Sequence, residues 1–384
     1  MPEIVFHNAQ VVTPSETFHG HVCVSDGCIQ EVARGPAPSQ GAFARFDCAG
    51  DFLLPGLVEV HTDNLERHVM PRPKVVFPLA GAWAAHDAEI AAAGITTVFD
   101  ALAVGDLYGD GFRANDKVEL LATLDALHEN LRAEHFLHVR CELPAANARE
   151  LFVPFAKHPR LKLLSLMDHT PGQRQWTDIE HARTYYVGKK GWSEARFDLE
   201  VKRAPERQAQ YAIPNRDWFS GMAHELGLVL ASHDDTTPKH VDEALALGAH
   251  MSEFPTRLEA AQRAFDAGLS TVAGAPNVVR GGSHSGNVAA FELAQHGVLS
   301  ALSSDYVPAS LLQAAWLIQT RAQWPLHQAV NLVSLNPARS AGLQDRGAIA
   351  VGQRAALLRV HECQLGTQRH ALVREVYRNG SRVA

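Results

Sequence analysis

Five short apolar, β-prone runs in this sequence end in residues that bind metals or move protons. The ends are His61-Thr62-Asp63, Arg140-Cys141-Glu142, Asp168-His169, Ser232-His233-Asp234-Asp235 and Ser304-Asp305-Tyr306. His61 and Asp63 alternate by two, so an extended strand points both side chains the same way. One strand can then offer two ligands to one ion. Glu142, His169, His233 and Asp305 complete a set of imidazoles and carboxylates that suits one or two divalent ions. Zinc fits it first, with iron or manganese as alternatives. Two ions ~3.5–4 Å apart can activate a shared water at neutral pH. Taken singly, each residue has an ordinary explanation, because Asp and Glu at strand ends also cap helices or form ion pairs. Five such ends together point to a metal site. His138, Arg140 and Glu142 alternate on one strand. Arg140 therefore either orients Glu142 beneath the site or forms a structural ion pair. Asp168, Asp234 and Asp235 are candidates to accept the second ring N–H of a ligating histidine, with helix capping the alternative for Asp235.

The composition bounds what such a site serves. The chain has 384 residues, 46% hydrophobic and 20% charged, which describes a globular protein and excludes intrinsic disorder. Thirty-five Lys and Arg stand against 42 Asp and Glu, a net charge of −7, so a nucleic-acid binder working by overall basic charge is excluded. Histidine is abundant, at 21 residues. The five cysteines are scattered with no C-x-x-C, so neither a disulfide framework nor a Cys-rich zinc site is expected. Reduced thiols in a cytoplasm are the simple reading. The first ten residues lack a secretory pattern, and no stretch approaches the ~18 apolar residues of a membrane span.

The elements that must position these residues are legible from hydrophobic pattern. Residues 4–6, 11–12, 22–24 and 28–32 read as short strands, with Asp26-Gly27 as a hairpin turn. Residues 347–360 and 371–383 read similarly. Residues 1–52 plus 345–384 are therefore expected to form a composite β-sandwich around a different middle. Residues 53–344 alternate strands (53–60, 96–101, 136–141, 163–167, 228–231, 250–254, 270–273 and 299–303) with helical stretches such as 117–135, 218–226, 238–247, 257–267 and 289–295. Eight strand–helix steps predict a distorted (β/α)₈ barrel, with an open doubly wound sheet as the alternative. In a barrel the five strand ends converge on one face. No G-x-G-x-x-G follows the first strand and no G-x-x-x-x-G-K-[ST] occurs, so both nucleotide fingerprints are absent. The polar insertion at 170–215 follows a strand end and reads as a partly helical lid, or else as a surface insertion.

The run 55–61, PGLVEVH, the β-rich ends and an Asp after the eighth strand together resemble the amidohydrolase superfamily, metal-dependent hydrolases on a distorted barrel. The usual His-x-His of that superfamily is His-Thr-Asp here. The runs PGLVEVHTDNLERHVMPRPK (55–74), SLMDHTPGQRQ (165–175), ASHDD (231–235), EFPT (253–256), GAPNVVRGGSHSGN (274–287), LSSDYVPASLL (302–312) and NPAR (336–339) resemble a narrower family. These are the triphosphate diphosphatases of the carbon–phosphorus lyase pathway, and the likeness covers nearly the whole chain. The resemblance implies a small-molecule substrate, a phosphorylated ribose phosphonate, cleaved at its 5-triphosphate to the 5-phosphate and pyrophosphate. It implies metal on His61, Asp63, Glu142, His169, His233 and Asp305, with Asp305 also taking the proton of the attacking water. A net-negative protein needs local cations to hold a triphosphate. In 280–287 the glycines let backbone N–H groups approach an anion, Arg280 can grip phosphate, and Ser283, His284 and Asn287 can donate to its oxygens. A tight glycine turn is the plainer account of that loop. Arg140, Arg174 and Lys74 are further substrate-binding candidates, with Arg72, Lys189 and Lys190 weaker ones. The superfamily often forms a homodimer or homotetramer. Two other functions compete. A C–N bond hydrolase, such as a deaminase or deacetylase, predicts an apolar or amide-reading pocket. A non-catalytic relative predicts lost ligands, yet all six are present.

Overall fold

The computed structural model describes residues 4–39, 44–72, 75–108, 117–283 and 286–384. Lys74 and His284 lie outside these. Eight parallel strands in sequential order form the central sheet: β6 (Leu57–Thr62), β7 (Ile95–Val104), β8 (Glu134–Glu142), β9 (Leu161–Met167), β10 (Val229–His233), β11 (Met251–Glu253), β12 (Ser270–Gly274) and β13 (Ala301–Ser303). The sheet closes where Thr62 bridges Asp305 in parallel, and the Thr62 hydroxyl donates to the Asp305 carbonyl at 2.6 Å. Val60, Phe99, Phe136, Leu163, Ala231, Met251, Val272 and Ala301, one from each strand, fill the interior. This packed centre is that of a (β/α)₈ barrel, as the strand–helix alternation predicts.

The flanking segments build a second, mixed sheet: β1 (Ile4–Val12), β2 (Thr17–Ser25), β3 (Cys28–Arg34), β4 (Ala44–Asp47), β5 (Phe52–Pro55), β14 (Leu357–Leu365), β15 (Gln368–Arg378) and β16 (Ser381–Arg382). β1 pairs in parallel with β4 through its first half and with β5 through its second, with a register shift between Phe6 and Ala9. β15 lies three strands from β1 along the sheet, yet the Phe6 and Tyr377 rings meet at 4.8 Å. The sheet therefore curls over itself and encloses its own core of Phe6, Val11, Ile29, Leu53 and Leu357.

The single strand expected at 53–60 divides at Pro55-Gly56. β5 pairs with β14 in the terminal sheet, while β6 enters the barrel. Gly56 makes the joint possible, because a Cβ there would lie 2.2 Å from the Thr96 hydroxyl. The insertion after β9 holds a short helix, Ile179–Arg183, a π-helical turn, Thr184–Lys189, and a 32-residue helix, Glu194–Glu225. The helix expected at 218–226 is the end of this long one. It runs through Pro205 and Pro214, so two residues that usually mark a boundary do not end it. Trp176, Ala182, Tyr186, Trp192 and Phe197 give the insertion a small core. Asn215 pins the long helix to the loop after β8, donating to the Leu143 and Ala145 carbonyls at 2.8 and 3.0 Å.

Candidate active site

The strand ends of the barrel converge as their spacing predicts. One solvent-open cleft of about 120 Å³ is lined by His61, Arg140, His169, His233, Asp234 and Asp305, with Ser283 and Asn287 from the loop after β12. Gln175 of the insertion and Phe254 complete its wall. Asp63 caps the start of the helix Asn64–Val69, and its carboxylate lies 3.9 Å from the Arg140 guanidinium. Glu142 is fully buried behind His169, accepting from its backbone N–H at 3.0 Å and facing its Nδ1 at 2.5 Å.

Three non-glycine residues just past barrel strands adopt positive φ: Asp234 at 56° and Phe254 at 52°, directly after β10 and β11, and Asp305 at 53°, two residues after β13. Asp tolerates this region, while Phe does so rarely. Each reversal ends a strand at the cleft mouth, where backbone strain concentrates at functional sites. Gly105, at φ +94°, allows another close approach. A Cβ there would meet Glu142 Cβ at 2.9 Å, so the glycine lets the loop after β7 pack against the buried carboxylate.

Glu253 organises the histidines from below. It ends β11 with no exposed surface, 3.1 Å from His61 Nδ1 and 3.3 Å from His233 Nδ1. A carboxylate accepting both Nδ1–H groups leaves Nε2 of each ring free to ligate. The two rings stack at 5.6 Å with an interplanar angle of 19°. His138 packs edge-on to His61 and gives its Nδ1–H to the Val60 carbonyl at 3.0 Å, while its Nε2 meets the Ser165 hydroxyl at 2.9 Å. Burial and the Arg140 charge hold His61 and His233 well below the usual imidazole pKa. Burial likewise lowers His138 to about 3. These rings are neutral at pH 7, the form that ligates metal.

The acids are displaced the other way. Burial, reinforced by the Asp63 carboxylate, raises Asp305 to about 8, and burial raises Asp234 to about 6. Carboxylates crowded into a dry site resist ionising together unless a cation joins them. His169, His233 and Asp234 bring ligand atoms within 4.8 Å of one another, and Glu142 touches His169. Imidazoles beside carboxylates form a donor set that fits a divalent cation.

Other expected residues support the site or stand at its rim. One Arg174 guanidinium nitrogen donates to the His233 carbonyl at 2.9 Å and to Asp235 at 3.0 Å, so this arginine braces the end of β10. Asp235 also accepts from the Ser232 and Ser252 hydroxyls. Asp168 accepts from Gln208 of the long helix at 2.7 Å, tying the insertion to the end of β9. Arg280 is exposed at the end of the short helix Ala275–Arg280, and Gly281 closes that helix in the left-handed region at φ +90°.

Two groups of functional interest were not singled out from sequence. Glu253 ends the sixth barrel strand, so extending the strand-end reasoning from five strands to six finds it. The second is a buried chain starting at Asn64, next to Asp63. Asn64 donates to His86 Nδ1 at 3.1 Å, and His86 Nε2–H donates to Asp100 at 2.7 Å. His135 bridges Asp100 and Asp87 at 2.8 and 3.3 Å. Burial opposes the charge on His135, but the two carboxylates outweigh it and raise the ring to about 9. Nothing in the local pattern around His86 or His135 distinguishes them from surface histidines.

Comparison with known proteins agrees with this geometry. Residues 196–384 match the model of an amidohydrolase family. Over 384 residues, 99% of this chain and 100% of the relative, the sequence is 42% identical to the α-D-ribose 1-methylphosphonate 5-triphosphate diphosphatase of Escherichia coli strain K12. The chain belongs to this diphosphatase family. Among solved structures it is similar to the N-acetylglucosamine-6-phosphate deacetylase of Pasteurella multocida, with a TM-score of 0.65 and 11% identity, covering 99% of both chains. It is also similar to the dihydropyrimidinase of Brevibacillus agri NCHU1002, with a TM-score of 0.64 and 14% identity over 99% of this chain and 94% of that one. At such identities these two neighbours bear on the fold alone. Among the described residues, no helix is long and apolar enough to cross a membrane.

Proposed function

We propose that this family member hydrolyses α-D-ribose 1-methylphosphonate 5-triphosphate to the 5-phosphate and pyrophosphate in phosphonate degradation. The observation that carries the proposal is the 42% identity over 99% of the chain to the diphosphatase of that name. The cleft supports it, because it sets a divalent-cation donor set beside a cationic side chain and the polar loop 280–287.

One or two divalent ions, zinc foremost, would be held by His61, Asp63, Glu142, His169, His233 and Asp305. A bound ion supplies Lewis-acid stabilisation of phosphoryl charge and makes water a better nucleophile at neutral pH. The chain's own residues do the rest. Asp305 takes the proton of the water that attacks the α-phosphorus and passes it toward the leaving side. Arg140 reaches into the cleft and neutralises a non-bridging oxygen. Ser283 and Asn287 donate to phosphate or phosphonate oxygens, while the exposed Arg280 attracts the polyphosphate; His284 and Lys74, outside the described residues, are further candidates for the same task. Arg174 contributes by fixing the end of β10 under His233. Glu253 keeps His61 and His233 in one tautomer.

The same reading places the enzyme in the cytoplasm, consistent with five cysteines that form no disulfide, as a homodimer or homotetramer. Phosphorus NMR of the metal-loaded protein with the ribose 5-triphosphate tests the reaction. Pyrophosphate and the 5-phosphate are the expected products. Orthophosphate alone would move the attack to the γ-phosphorus, and no turnover would turn attention to C–N bond substrates.

A further inference from the structure

The cleft holds a positive charge, Arg140, among its carboxylates. We infer that its metal capacity is one divalent cation per chain, on the side of Glu142, His169 and His233, and that the Arg140 guanidinium takes the place of a second ion on the side of Asp63 and Asp305. This inference rests on the metal-dependent reading above and sharpens it.

Three observations carry it. First, the donors fall into two groups. Glu142 contacts His169, and His169, His233 and Asp234 converge within 4.8 Å. Asp63 and Asp305 follow β6 and β13, where the barrel closes. Second, Arg140 serves the second group. Its guanidinium lies 3.9 Å from the Asp63 carboxylate, within ion-pair reach. Third, this arginine is not consumed by structure. Only 13% of its side chain is exposed, it lines the cleft, and its buried Nε has no hydrogen-bond partner among the described residues. A buried guanidinium with a free donor, aimed among carboxylates, is placed to receive an anionic oxygen.

Electrostatics make the two occupants exclusive. A divalent ion on Asp63 and Asp305 would sit within a few ångströms of a fixed positive charge in a poorly screened site. The repulsion there lowers its affinity by ~100-fold or more at an effective dielectric constant near 20. The chemistry of position 63 fits the same division. A carboxylate pairs with a guanidinium, whereas the imidazole of a His-x-His pattern does not. During hydrolysis, one cation and Arg140 would then share the non-bridging oxygens of the attacked phosphoryl group. A guanidinium does this without exchanging with solvent metal.

The test counts ions instead of turnover. Full-length protein is stripped with a chelator, dialysed against excess zinc, freed of loose metal and analysed by plasma mass spectrometry against protein concentration. One zinc per chain is expected for the wild type and for Arg140→Lys, and two for Arg140→Met. Two zinc ions in the wild type overturn the inference and leave the diphosphatase reading standing. No retained zinc in folded wild type overturns the metal reading itself. One zinc in folded Arg140→Met, with folding judged by circular dichroism, overturns the role given to Arg140. If that variant does not fold, the wild-type number decides alone.

Discussion

Glu253→Gln tests how the histidines are held ready for metal. The change is nearly isosteric and sits at a fully buried position, so the packing of β11 is retained. The wild-type carboxylate faces His61 Nδ1 at 3.1 Å and His233 Nδ1 at 3.3 Å, one oxygen to each. A glutamine offers one carbonyl oxygen and one NH₂ group. The ring facing the oxygen keeps its tautomer. The ring facing the NH₂ must move its proton from Nδ1 to Nε2, and an Nε2–H cannot ligate. One histidine partner is thereby lost, and partners of this kind are worth ~10–100-fold in metal affinity, about 1.4–2.7 kcal/mol. Glu253→Ala removes both acceptors, leaves two buried N–H groups unpaired and costs more. Zinc affinity measured by competition with a chromophoric chelator reads both values. Wild-type affinity in a folded Glu253→Ala protein would refute the tautomer reasoning, because His233 would then not depend on this carboxylate.

Asp305→Asn keeps the shape of the site but removes its proton acceptor. The hydrolysis rate measured by pyrophosphate release should fall by ~10²–10⁴-fold with an unchanged melting temperature; undiminished turnover would rule out its role. Asn287→Ala removes a donor to an anionic oxygen and should raise KM by ~10-fold or more with a smaller effect on kcat, read from initial rates. His135 has an ordinary pKa of 6.5 and is raised to about 9 in the folded protein. Protonation of a group whose pKa is raised by folding favours the native state, fully below 6.5 and less as pH climbs toward 9. The melting temperature should therefore decline across pH 6.5–9, and His135→Gln should start lower and flatten the decline. Parallel wild-type and variant profiles would count against a charged His135. Gly105→Ala forces a Cβ to 2.9 Å from Glu142 Cβ at a positive φ. Zinc affinity and melting temperature should both drop, and a silent substitution would show that the loop moves freely away from Glu142.

Much of the site was readable because barrel geometry turns a one-dimensional pattern into a place. His61, His169, His233 and Asp305 each follow an apolar run, and parallel strands in sequential order bring those runs to one rim. Glu142 follows the same rule but turns back beneath His169, which no strand pattern encodes. The terminal strands were legible from β-prone runs and Asp26-Gly27. Their joining into one curled sheet was not, because β1 changes partner from β4 to β5 within its own length. The long helix was read only as a partly helical insertion and a separate helix at 218–226, because a 32-residue helix through Pro205 and Pro214 depends on tertiary anchors such as Asn215. Arg174 looked like a free cation by sequence and is engaged by Asp235, a partner 61 residues away. Long-range pairings of this kind decide whether a basic residue meets substrate or scaffold.

The joint at Gly56 also bears on how the molecule comes into being. The strand that delivers His61 is a continuation of β5, and β5 is held on one side by β1 and on the other by β14. Arg359 of β14 reaches Asp51 beside that strand across a separation of 308 residues. Contacts so distant in sequence close slowly, because the entropy of a very long loop is lost before they form. A nascent chain emerging from the ribosome can fold much of the barrel early, but β5 gains its second neighbour only after β14 has been made. Until then an apolar edge stands open beside the segment that carries His61, an invitation to mispairing or to a chaperone. Catalytic competence should thus be acquired late in biogenesis, after the barrel itself has taken shape.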